Sequence, residues 1–67
     1  MNAFTIIIEK DGIRECVFVT PMRSIGIYVE FDLWCPENSK LNSRILVPNT
    51  EVPKNYIHKY IENIDQN

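Results

Sequence analysis

The sequence predicts a small α+β domain, in which a mainly antiparallel four-stranded sheet carries one C-terminal helix on one face. Three observations lead to this fold. An Asp-Gly pair separates two runs rich in β-branched and aromatic residues, which predicts a β-hairpin. Apolar and polar residues then alternate over Ile25–Trp34, and an apolar stripe of helical period follows near the C-terminus. With 67 residues, the chain is expected to form a single domain over 1–67.

The hairpin strands are predicted over Ala3–Glu9 and Ile13–Thr20. Asp-Gly favours a type I′ turn, because both central residues of that turn need a positive φ. If Asp11 and Gly12 form the turn, the register follows, and the expected cross-strand pairs are Glu9 with Arg14, Ile7 with Cys16, Ile6 with Val17, and Phe4 with Val19. The first of these pairs joins opposite charges, which supports the register.

The third strand is predicted over Ile25–Trp34, and Pro21 is expected to mark the break before it. Period-two alternation over this length indicates a strand with one buried face. The core side of the sheet is therefore expected to carry Phe4, Ile6, Ile8, Val17 and Val19, with the odd residues Ile25, Ile27, Val29, Phe31 and Leu33.

The rest of the chain predicts a loop, a short strand and the helix. Turn-forming residues are dense over 35–40, and a strand over Arg44–Val47 is expected to follow. The helix is predicted over Pro53–Ile64, since proline is tolerated in a first helical turn, with Thr50 or Asn49 as its cap. Its apolar stripe is Ile57, Tyr60, Ile61 and Ile64.

Composition limits the expected cellular location and the classes of partner. Seven basic residues are scattered among nine acidic ones, for a net charge of −2, which argues against a general nucleic-acid binder. No apolar run approaches the length of a membrane span. Two cysteines without a secretory signal predict reduced thiols in the cytoplasm. The ten isoleucines and seven asparagines, which have A/T-rich codons, suggest a low-GC bacterium or a phage or mobile element.

The residue types that carry chemistry do not form a catalytic pattern. Cys16, Cys35 and the single His58 cannot supply four zinc ligands from one copy, so neither metal nor cofactor is expected. Glu30 and Asp32 lie on one side of a strand, roughly 6.6 Å apart. Paired carboxylates can act as acid and base, but they need a pocket that raises one pKa. Solvated strand charges are the preferred interpretation, and no enzymatic activity is predicted.

The second side of the sheet is the predicted functional surface. One helix can cover only one face, so the other is expected to be bare or covered by a partner. A semi-apolar sheet face without a cover predicts a small non-enzymatic protein-interaction module, a regulator, inhibitor or accessory subunit, that forms a homodimer or binds another protein. The alternative is a module that binds RNA or single strands through exposed aromatics. The predicted partner-binding residues are Ile7, Arg14, Phe18, Tyr28, Glu30, Asp32 and Trp34.

Overall fold

Over residues 1–65, which the computed structural model describes, the chain forms one four-stranded antiparallel sheet and one α-helix. Each strand pairs with the next along the chain, so the sheet is a meander in the order β1-β2-β3-β4. The predicted α+β fold is confirmed. The elements are β1 Phe4–Lys10, β2 Ile13–Ile25, β3 Tyr28–Trp34, β4 Ser43–Pro48 and α1 Pro53–Asp65.

The turn between β1 and β2 has the predicted geometry. Asp11 and Gly12 both adopt positive φ, at 53° and 77°, as a type I′ turn requires. All four predicted cross-strand pairs are present, and the pairing extends from Phe4 opposite Val19 to Lys10 opposite Ile13. The local turn chemistry therefore fixes which side of the sheet each hairpin residue occupies.

The predicted start of the third strand is wrong. Ile25 is the last residue of β2 and pairs with Tyr28, the first residue of β3. Between them Gly26 has a φ of 59°, which a two-residue type II′ turn needs at its first central position. Ile27 therefore lies at the turn and is 62% exposed, and Ile25 is also exposed rather than part of the core. The alternation from 25 to 34 spans two strands and a turn.

Pro21 does not end β2, although a break was predicted there. The register shifts between Pro21 and Arg23, which marks a β-bulge. Proline is tolerated in a sheet at a bulge or beside an unpaired edge. Both conditions hold here, because β1 pairs with β2 only as far as Val19. The strand therefore continues through the proline with one neighbour, β3.

The connection between β3 and β4 is held by side-chain hydrogen bonds. It contains a short 3-10 helix, Ser39–Leu41, whose Leu41 is buried. The side-chain amide nitrogen Nδ2 of Asn38 donates to Glu15 Oε2 on β2 at 3.2 Å. The backbone N–H of Cys35 donates to Asn42 Oδ1 at 2.7 Å, and the Cys35 side chain is buried. The predicted loop is thus an ordered part of the core boundary.

The hydrophobic core lies between α1 and one face of the sheet. In α1, Ile57 and Ile61 are fully buried, while Tyr60 and Ile64 pack against the core as partly buried residues, so the predicted stripe is confirmed. The buried apolar residues from the sheet and its loop are Ile6, Ile8, Val17, Val19, Phe31, Leu33, Cys35, Leu41, Ile45 and Val47.

Helix α1 begins as predicted at Pro53 but has a different cap. The carbonyl of Val52 accepts the first helical hydrogen bond, from the N–H of Tyr56 at 3.1 Å, so Val52 holds the N-cap position. Asn49 and Thr50 belong instead to a turn in which the N–H of Glu51 donates to the carbonyl of Pro48. The capping prediction is therefore wrong by two or three residues.

The helix is much shorter than the molecule. Its 13 residues span about 20 Å at 1.5 Å per residue, whereas the longest dimension of the molecule is 38 Å. Among residues 1–65, no helix is long and apolar enough to cross a membrane. The part of α1 that packs on the sheet covers one side only, and the opposite side is open.

Candidate interaction surface

The side of the sheet that faces away from α1, here called the outer face, carries large apolar side chains. Alternation along each strand places every second residue there, opposite the buried set. Six of these residues are between 39% and 51% exposed, which is high for side chains of their size: Ile7, Phe18, Ile25, Tyr28, Trp34 and Leu46.

An aromatic cluster forms one half of the outer face. Phe18 on β2 is directly opposite Trp34 on β3, and their ring centroids are 5.6 Å apart at an interplanar angle of 34°. On the neighbouring strand β1, Thr5 is opposite Phe18, and Ile7 follows two residues later. We call Ile7, Phe18 and Trp34 the aromatic cluster.

A second apolar cluster lies at the other end of the outer face, beside the β2–β3 turn. Ile25 and Tyr28 form the last cross-strand pair before that turn. Leu46 on β4 is opposite Glu30, one outer-face position along β3 from Tyr28. Diagonal neighbours of this kind lie within reach of long and aromatic side chains. We call Ile25, Tyr28 and Leu46 the turn cluster.

A charged band separates the two clusters. On β3 the outer face reads Trp34, Asp32, Glu30 and Tyr28, so both carboxylates lie between the aromatic residues. Each is paired with an arginine of a neighbouring strand. Arg23 Nε lies 3.3 Å from Glu30 Oε1, and Arg44 Nε lies 3.5 Å from Asp32 Oδ1. Both arginine side chains are well exposed, although the Glu30 side chain is mostly covered. Ion pairs that water reaches add little to stability, so the main effect of these pairs is on which surface can dock here.

All seven residues predicted to bind a partner lie on the outer face. Six of them belong to the two clusters and the charged band, and Arg14 lies near the β1–β2 turn, 3.7 Å from Glu9. Their role in binding stays a prediction. The structure adds residues that the sequence interpretation did not place there, and these are Arg23, Ile25, Arg44 and Leu46.

Leu46 could have been found from the sequence. Ile45 and Val47 are buried, so the residue between them must face outward, as period-two alternation on β4 already implied. Arg23 and Ile25 could not, because their side depends on the bulge after Pro21. One extra residue in a strand reverses the side of every residue beyond it.

The groups considered for metal or thiol chemistry lie apart from one another. Among the described residues, no three His, Cys, Asp or Glu side chains are placed to hold a metal ion together. Cys16 and Cys35 are both free, the first half-buried and the second buried. His58 lies on α1 with Nε2 3.3 Å from Glu62 Oε1, one helical turn away.

Comparison with known proteins gives no match to a family model, to a curated protein or to a solved structure.

Proposed function

We propose that this protein is a non-enzymatic protein-interaction module that acts as a regulator, inhibitor or accessory subunit by docking its outer face on a protein partner. One observation carries the proposal. Two exposed apolar clusters lie on a sheet face that α1 leaves open. Exposed apolar patches on small proteins usually mark binding sites, and Trp, Tyr and Arg dominate the energetics of protein interfaces. The free thiols of both cysteines suit action in the cytoplasm.

The charges of the outer face favour protein over nucleic acid. Its three ion-paired arginines, Arg14, Arg23 and Arg44, lie between 3.3 and 3.7 Å from a carboxylate. Each positive charge is thus already balanced within the chain. Nucleic-acid binding draws most of its affinity from cations that neutralise phosphates, and carboxylates between the aromatic residues oppose it.

A second candidate function is single-strand binding. The exposed ring pair of Phe18 and Trp34 supports it, because bases stack on aromatic side chains with little dependence on sequence. This candidate differs from the first in a measurable way. It requires a complex with mixed-sequence oligonucleotides whose affinity falls as salt rises.

The test compares two double variants that each lose two exposed apolar side chains. Phe18→Thr with Trp34→Thr removes both rings of the aromatic cluster, while Ile13→Thr with Val52→Thr removes two aliphatic side chains that lie outside both clusters, 62% and 59% exposed. Threonine is accepted in strands and at helix N-caps, so both variants are expected to fold. We expect a protein retained from host extract by the wild type and by the aliphatic variant to be lost by the aromatic variant. Binding is then re-measured with that protein purified.

Two results would contradict this proposal. If both variants keep the partner with the affinity of the wild type, the outer face is not the docking surface. If the wild type instead binds fluorescent oligonucleotides in a salt-dependent manner, and the aromatic variant does not, single-strand binding is the function.

A further inference from the structure

We propose that the partner on the outer face is a second copy of this chain, packed face to face about a twofold axis that runs parallel to β2 and β3 and between them. This inference rests on the proposed function, because it uses the same surface. It adds the identity of the partner and the direction in which the two sheets meet. Twofold dimers are the commonest oligomers, and their interface is formed by the same patch on both copies.

The outer face is large enough for a small dimer interface. The molecule measures 38 × 19 × 16 Å, so a rectangle along its length has an area of roughly 600–700 Å², which is an upper bound and lies below the ~800 Å² that each partner contributes to a standard interface. A small domain has a thin core, and burying a second sheet face adds to it. Two sheets that pack in this way form a sandwich with their strands within about 30° of each other.

Charge complementarity selects the direction of the axis. With the axis between β2 and β3, each β2 lies over the β3 of the other copy. Arg23 is opposite Glu30 within one chain, so it then lies over Glu30 of the second copy as well. The two ion pairs form a square of alternating charge. Thr20, which is opposite Asp32, is placed to donate its hydroxyl to Asp32 of the second copy in the same manner.

An axis across the strands that passes through the charged band brings like charges together. If it passes through the row of Arg23 and Glu30, each of these residues meets its own counterpart. If it passes through the row of Asp32 and Arg44, the same happens there. If it passes between the rows, Glu30 meets Asp32. Like-charge contacts in an interface cost several kcal/mol and exclude the arrangements that contain them.

The apolar residues agree with the parallel axis. Phe18 and Trp34 are opposite each other within one chain. In the dimer, Phe18 lies over Trp34 of the second copy and Trp34 lies over Phe18 of the second copy. Four aromatic rings therefore stack at one end. At the other end Ile25 lies over Tyr28 in the same way. In the rows across β2 and β3, the two apolar pairs therefore meet apolar side chains, Arg23 meets Glu30, and the Thr20 hydroxyl meets Asp32.

The test is complementation between two charge variants in sedimentation. Arg23→Glu leaves two negative charges in this pair, and Glu30→Arg leaves two positive ones. We expect the wild type to dimerise, and each variant alone to show a dissociation constant raised at least about tenfold by repulsion. An equimolar mixture of the two variants should restore the dimer, because each negative group then meets a positive one. Circular dichroism establishes that both variants fold.

Lys54→Glu is the matched control. It makes the same change of charge at an exposed site of α1, which covers the side of the sheet opposite the outer face. Lys54 lies outside the proposed interface, so this variant should dimerise like the wild type.

The direction of the axis has its own measurement. In a dimer of one isotope-labelled and one unlabelled chain, we expect NOEs between the chains from Ile25 methyls to the Tyr28 ring. Contacts from Trp34 to Tyr28, or from Phe18 to Ile25, would place the axis across the strands and overturn the arrangement. A wild type that stays monomeric, variants that dimerise normally, or a mixture that does not recover would each overturn the inference. If the wild type is monomeric but the Phe18→Thr, Trp34→Thr variant still loses the protein partner, the dimer inference fails and the proposed function remains supported.

Discussion

Phe18 and Trp34 form an aromatic pair on the side of the sheet that α1 does not cover, with ring centroids 5.6 Å apart. Their contact is a consequence of the β2–β3 register, which places the two residues directly opposite each other. Offset and tilted ring pairs at this spacing attract each other. The pair is therefore held together by contacts within the chain.

Trp34 is the single tryptophan, so its fluorescence reports on the outer face. At low concentration we expect acrylamide to quench it efficiently, because its side chain is about half exposed. As the concentration rises into the range of the dimer, emission should shift to the blue and quenching should fall. The Arg23→Glu variant is the control and should show neither change. Emission that is independent of concentration in the wild type would contradict burial of this face by a second copy.

Gly12→Val is expected to destabilise the fold by about 1 kcal/mol or more, because valine resists a positive φ. A Cβ at this position would meet no atom within 4 Å, so the cost arises from backbone conformation and not from a clash. Chemical denaturation measures it. Asp11→Asn, at the neighbouring positive φ, should be nearly neutral, since asparagine tolerates the left-handed region. Equal stabilities for Gly12→Val and wild type would contradict the type I′ geometry.

Ile61→Ala is expected to cost about 2–5 kcal/mol, since the side chain is fully buried between α1 and the sheet. On a domain of this size, such a loss should unfold much of the population. Val52→Ala, at a site 59% exposed just before the helix, is the control and should change the melting temperature little. A chain that ends at Val52 should lose its cooperative melt, and a sharp transition there would show that α1 is dispensable.

Asn42→Ala is expected to cost about 1 kcal/mol, because the Cys35 N–H loses its side-chain acceptor at 2.7 Å. The effect should be local. Amide hydrogen exchange is expected to speed up at Cys35 and in the β3–β4 connection, while β1 keeps its protection. Asn55→Ala, on an exposed site of α1, is the control and should be neutral or slightly stabilising, since alanine favours helix. Unchanged exchange at Cys35 would contradict the role of this hydrogen bond.

The two cysteines should differ in their effect on stability. Cys35 is 1% exposed, so Cys35→Ser buries a hydroxyl and is expected to cost about 1–3 kcal/mol. Cys16 is half-buried on the outer side of β2, and Cys16→Ser should cost less. Neither change is expected to abolish binding when the fold is kept. Loss of binding by a folded Cys16→Ser, Cys35→Ser variant would return a thiol to the candidate site.

Elements whose signals are local could be predicted from the amino-acid sequence. Asp11-Gly12 set the first turn and with it the side of every residue from Phe4 to Val19, because a two-residue turn leaves one register. The stripe from Ile57 to Ile64 set the buried side of α1, because i, i+3, i+4 spacing has one apolar face.

The end of β2, and the side that its last residues face, depend on contacts between strands. The alternation from Ile25 to Trp34 is continuous in sequence, and alternation alone does not distinguish one long strand from two strands joined at Gly26-Ile27. Pairing of β2 with β3 resolved this, since hydrogen bonds between strands favour a tight turn over an unpaired extension. The bulge after Pro21 then turned Arg23 and Ile25 to the outer face, where the charged band and the turn cluster form. Those placements depend on contacts between residues of different strands, which no local pattern encodes.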